Sequence, residues 1–186
     1  SSSARFVPTI FGLVPGASVS SAITLTDRAE IMALGGTSPD PVRFVVTGTV
    51  DRAGQTLMLR TDGAPNTLDV SKVSGAGRLV LRPDGGTINV GTVTGTGELA
   101  ALGTSGTATV ASLAGDGRVL VDFDTSFGQL TITGALSGQR DLDVRHGTLS
   151  LDTVTPLSFA GQITLRGDGT LSVGRESYLG SASPVL

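Results

Sequence analysis

The stretch from residue 66 to residue 173 repeats one short phrase six times, and this period constrains the fold more than any other feature. The phrase reads Thr67-Leu-Asp-Val70, Thr87-Ile-Asn-Val90, Thr107-Ala-Thr-Val110, Gln129-Leu-Thr-Ile132, Thr148-Leu-Ser-Leu151 and Thr170-Leu-Ser-Val173. Its second residue falls at 68, 88, 108, 130, 149 and 171, in steps of 20, 20, 22, 19 and 22 residues. Self-similarity at such a period marks a stack of equivalent units, none of which can bury its apolar face alone.

Each unit carries a second alternating run after a glycine break. The breaks include Gly75-Ala-Gly77, Gly95-Thr-Gly97, Gly115-Asp-Gly117 and Gly138-Gln139, and the runs include Leu79-Val-Leu81, Leu99-Ala-Ala101, Val119-Leu-Val121, Leu142-Asp-Val144 and Ile163-Thr-Leu165. Period-two alternation marks strands with one buried face. Glycine at the corners permits positive φ and close backbone approach. Twenty-odd residues are too few for a four-stranded propeller blade, and the units lack the helix of a βα repeat. They suit one coil of an all-β, single-stranded parallel β-helix, a β-solenoid of about six to seven coils of 19–23 residues, stacked at about 4.8 Å per coil. The coil is expected to be right-handed, as most coils of this length are.

Composition agrees with thin, regular core layers. Only 16% of residues are charged, aromatics are 4%, tryptophan is absent and glycine supplies 27 positions. The net charge of -3 offers no basic face to follow a phosphate backbone, so nucleic acid is not an expected partner. The absence of cysteine excludes disulfide staples and thiol catalysis. No apolar run reaches 18 residues, so no transmembrane segment is expected. The chain has neither a Met start nor a basic region ahead of an apolar stretch, and it reads as processed or as a piece of something longer.

Residues 1–40 do not obey the period and are expected to form an N-terminal extension and cap, with the solenoid over 41–186. Ser1 to Ala4 reads as a loose tail, and Phe6 to Val14 as an extended apolar segment. Between Ile23 and Gly36, Thr26 or Asp27 can cap a helix, Glu30 stands three residues after Asp27, Ile31 and Leu34 share a helical face, and Gly35 is a natural stop. A short capping helix is therefore expected there, covering the open end of the stack.

Aligning the second runs gives outward columns. One reads Arg78, Glu98, Arg118, Asp141, Gln162; the other reads Arg82, Leu102, Asp122, Arg145, Arg166. In-register stacking would pair Arg118 with Asp141 and Asp122 with Arg145, each exposed pair contributing roughly 0.2–1 kcal/mol. The outward columns of the first runs, mostly threonine with short polar residues, would form hydroxyl ladders on a flat face. The densest charged set is Asp122, Asp124, Asp141, Asp143, Arg145 and His146. Asp122, Asp124, Asp141 and Asp143 are the candidates for holding a cation, against their reading as members of the charged ladder, which the columns favour. On that reading, Asp143→Ala leaves folding nearly unaffected. His146, the single histidine, precedes a corner glycine and reads as an exposed turn residue; with no second His or Cys a zinc site is not expected. The Gly-x-Gly elements precede strands rather than helices, so the dinucleotide-binding context fails. No catalytic residue and no cofactor site is identified.

From Gly161 to Ser183 the chain resembles the repeat of bacterial autotransporter passengers, in which a strand leads through Gly and Thr-Leu-x-Val to Leu-Gly-x-Ala-Ser. Residues 66–173 carry the same pattern more loosely. Phe44 to Leu59 is similar to the first coil of pectate lyase-like helices, without that family's catalytic motif. The resemblance implies a parallel β-helix, and an extracellular or cell-surface stalk or adhesin with a protein or glycan partner. Two alternatives stand beside it. One is a virion component, such as a capsid decoration, head fibre or tail-spike module, possible as a homotrimer attached through residues 1–40. The other is a carbohydrate-active β-helix enzyme of lyase type, for which the aspartate cluster is the only support.

Overall fold

The computed structural model describes residues 9–10, 18–34, 42–63, 65–152, 158–174 and 183–185. Over these the chain is an all-β parallel solenoid of about six turns. Every strand pairing is parallel, and each strand lies against the equivalent strand one coil away. The first face stacks Arg43–Asp51, Thr67–Ser74, Thr87–Thr94, Gly106–Ala114, Gly128–Ile132, Thr148–Leu151 and Thr170–Val173. The second face stacks Ala29–Leu34, Thr56–Asp62, Arg78–Arg82, Gly97–Gly103, Gly117–Phe123, the later part of Leu136–His146, and Gln162–Leu165.

The phrase in the sequence becomes the register of the first face. Thr67 lies against Thr87, Thr87 against Thr107, Thr107 against Gln129, Gln129 against Thr148 and Thr148 against Thr170. A coil sends about five side chains inward. In one coil these are Leu68, Val70, Val73, Leu79 and Leu81, all essentially inaccessible. Between Val70 and Val73 two consecutive residues, Ser71 and Lys72, face solvent, so the strand bends there and the alternation restarts. The columns continue through Ile88, Ala108, Leu130 and Leu149 on one side and through Leu99, Val119, Leu142 and Ile163 on another. Burying each larger aliphatic contributes about 1.5–3 kcal/mol, so a coil is stabilised chiefly by the neighbours that cover it.

The expected capping helix does not form. Ala29–Leu34 is a strand, pairing in parallel from Ala29 opposite Leu57 to Leu34 opposite Asp62. Ala29, Ile31 and Ala33 are buried while Glu30 and Met32 are half-buried, a period of two that the helical reading of Ile31 and Leu34 overlooked. The exposed edge at Leu57 and Leu59 offers a complete ladder of hydrogen bonds and two apolar neighbours, which outweighs the weak helical preference of a short segment. Ser18–Val19 and Ile23–Thr24 pair with Arg43–Asp51, and Thr9–Ile10 pairs with Glu30–Ile31. The loose tail at Ser1 to Ala4, the rest of the apolar segment at Phe6 to Val14 and the stop at Gly35 lie outside the described residues. No helix among the described residues is long and apolar enough to cross a membrane.

Corner geometry explains the glycine breaks. Gly97 has a φ of 114°, and a Cβ there would collide with the carbonyl of Gly77 one coil below. The coils stack so closely at this corner that only glycine leaves room for the neighbouring backbone.

Candidate functional site

The charged residues singled out in the sequence gather on the outer side of the second face. The middle outward column there reads Glu30, Met58, Val80, Ala100, Leu120, Asp143 and Thr164. Its apolar members are shielded by longer side chains on either flank. Val80 is 2% and Leu120 7% exposed although both point away from the core.

Those flanks are ion-paired. Arg78 Nε lies 2.6 Å from Glu98, and Arg118 lies 3.8 Å from Glu98 and 2.6 Å from Asp143. Arg118 stands opposite Asp141 in the ladder, as the columns imply, but its guanidinium reaches diagonally to Asp143. Asp141 instead accepts a hydrogen bond from the backbone N–H of Gln162 at 2.9 Å. Asp122 and Arg145 lie 3.6 Å apart, but the ladder slips after Val121, so His146 rather than Arg145 stands opposite Asp122. Farther along, Arg60 and Arg82 share Asp84, at 3.1 and 2.8 Å.

Asp143 is a buried carboxylate. It is 8% exposed, with Arg118, Arg145 and Arg166 at 2.6, 3.2 and 3.7 Å. Its Oδ1 is buried and has no hydrogen-bond partner. Asp143 is not an exposed rung; removing it would take away the carboxylate on which Arg118, Arg145 and Arg166 converge, so a structural cost replaces the near-neutral effect expected for Asp143→Ala.

His146 ends its strand at the surface. Its Nδ1 lies 2.9 Å from Asp122 and its Nε2 lies 3.7 Å from Asp168. The hydrogen bond to Asp122 raises its pKa above the ordinary 6.5, and the charges of Asp168 and Asp122 add to this. Of the four aspartates considered for a cation, Asp122 and Asp143 are linked through Arg145, Asp141 serves the backbone, and Asp124 faces a depression on the same side of the molecule. Among the described residues, no three acidic or histidine side chains are grouped so as to hold a metal ion.

That depression has a volume of about 350 Å³. Met58, Val80 and Leu102 form its apolar part, while Arg82, Asp122 and Asp124 supply polar groups. It opens where Gly103 interrupts the column of side chains. Gly103 has a φ of 117°, and a Cβ there would press on the Asp84 carboxylate. The adjoining turn carries Phe127, whose 83% exposure stands out among the large apolar residues described.

A second constellation was not read from the sequence. Arg52 and Arg140 are each 2% exposed and fill the glycine corner from opposite directions along the stack. Arg52 donates to the carbonyls of Ser74 (3.2 Å), Gly75, Gly77 (2.9 Å) and Thr94 (3.2 Å). Arg140 donates to Gly95 and Gly97, at 3.0 and 3.3 Å. Burial pushes both guanidinium groups below their ordinary pKa, and the positive charge of Arg52 lowers Arg140 further. The sequence did hold a signal: Arg140 occupies the ladder position that Gly117 holds one coil earlier. A long side chain in a glycine column has to run along the stack rather than out of it.

Fold and surface together define a parallel β-solenoid with an ion-paired outer face. Comparisons with protein-family models, with curated proteins and with solved structures find no match to this chain.

Proposed function

We propose that the chain is a non-catalytic structural and adhesive module of a bacterial cell-surface or secreted protein. The observation that carries this reading is the engagement of its acidic residues. Glu98, Asp84, Asp122 and Asp143 each pair with arginine on a neighbouring coil, and Asp141 caps a backbone N–H. A lyase would need such carboxylates free to hold a cation and a base aimed at substrate. Here the same groups hold adjacent coils in register. Short turns and parallel stacking of equivalent strands present side chains at a spacing of about 4.8 Å, which suits repeated surface contacts.

Beads coated with the protein provide the test. They are expected to adhere to glycan-bearing cell surfaces, while polygalacturonate with calcium yields no ultraviolet-absorbing product. Unsaturated product formed by the purified chain would replace this reading with the lyase reading.

A further inference from the structure

The depression bordered by Met58 and Leu102 has a composition that selects among ligand classes, and this inference rests on the adhesive reading above. We propose that it binds a short segment of a neutral glycan. Sugar C–H faces would lie on Met58 and Leu102, and sugar hydroxyls would exchange hydrogen bonds with Asp122, Asp124 and Arg82.

Two observations lead there. First, the depression sets Met58, Val80 and Leu102 beside Arg82, Asp122 and Asp124, so apolar and hydrogen-bonding surface meet in one place. Second, its charges are largely cancelled within the protein. Arg82 is held by Asp84 at 2.8 Å, and Asp122 by His146 at 2.9 Å and Arg145 at 3.6 Å. Such a surface has little to offer a phosphate or an acidic polymer, yet its carboxylates can accept from hydroxyls while its guanidinium donates.

A peptide strand fits less well. The outer surface of a sheet presents side chains, while its backbone donors and acceptors are spent on the ladder in the plane of the strands. From Met58 to Asp122 the site spans three coil steps, roughly 14 Å, the scale of a short oligosaccharide.

The test measures binding of neutral oligosaccharides, acidic oligosaccharides and a peptide panel to the full chain by calorimetry. Leu102→Lys blocks the floor and Asp124→Ala removes an acceptor; both positions lie outside the core, and unchanged thermal unfolding verifies the fold. Neutral oligosaccharides are expected to bind, and each variant is expected to weaken that binding at least tenfold. Preference for acidic oligosaccharides or peptides, no binding of neutral ones, or equal binding by Leu102→Lys would each overturn the assignment. The coated beads separate the two levels. If Leu102→Lys beads adhere as well as the unaltered protein, the groove assignment fails and the adhesive reading stands. If the unaltered protein fails to adhere to any cell surface, the adhesive reading itself fails.

Discussion

Arg52 and Arg140 show how a single side chain can serve several coils. Each places a charge where burial disfavours it, and each is held by carbonyls from glycine corners rather than by a carboxylate. A hydrogen bond to a charged group contributes about 1.5–3 kcal/mol, and an orphaned carbonyl costs about 1–3 kcal/mol. Arg52→Met and Arg140→Met should therefore each destabilise the fold by a few kcal/mol in denaturant unfolding. The two guanidiniums repel, and either single replacement relieves that repulsion. The double variant should consequently lose more stability than the sum of the singles. A double variant no worse than that sum would mean the two charges do not feel each other. His146 gives a residue-scale effect of opposite character, since it lies at the surface and titrates. Its folded pKa is raised by Asp122, so its charge stabilises the fold fully below the ordinary 6.5 and ceases to do so as pH climbs through the raised value. His146→Gln should lower the unfolding temperature at about pH 5.5 and leave it unchanged at about pH 9. A loss at the higher pH alone would refute the sign.

At the scale of the strand, the sequence was most legible where period two governs. The phrase from Thr67 to Val173 named the inward columns correctly because each strand has one dry face and five or six equivalents. Val121, inaccessible in the core, illustrates the consequence. Val121→Asp buries an unpaired charge between coils and should cost about 4 kcal/mol or more, enough to abolish the cooperative melt. A normal melt would show that Val121 does not face inward. Legibility failed at two places for physical reasons. Ala29–Leu34 contains apolar residues compatible with either period, and the choice was made by a partner strand rather than by local preference. Around Asp143, the columns paired Arg118 with its ladder neighbour, but a long guanidinium reaches diagonally, and one-residue slippage after Val121 moved His146 into the place assigned to Arg145. The depression was invisible for a further reason. Its lining comes from four successive coils, and no single column of the sequence holds those residues together.

The whole molecule is a rod held by long-range pairing of similar strands, and its outer chemistry depends on register. A shift of one residue in any coil would turn the core face outward and scatter the ion pairs. Because the chain has no cysteine, register can be tested directly with introduced pairs. Thr109 lies opposite Thr131 on the first face, and Thr131 opposite Ser150 one coil farther. Neighbouring strands place such Cα atoms about 4.8 Å apart, inside the range of roughly 4.4–6.8 Å that a disulfide spans. Two coils apart, the separation is roughly 10 Å, which it cannot span. The decisive measurement is oxidative cross-linking of the Thr109→Cys/Thr131→Cys and Thr109→Cys/Ser150→Cys proteins, read as a mobility shift with the mass of intact monomer. Cross-linking of the first pair and not of the second is the result this fold predicts; cross-linking of neither, or of both equally, would contradict the in-register stack.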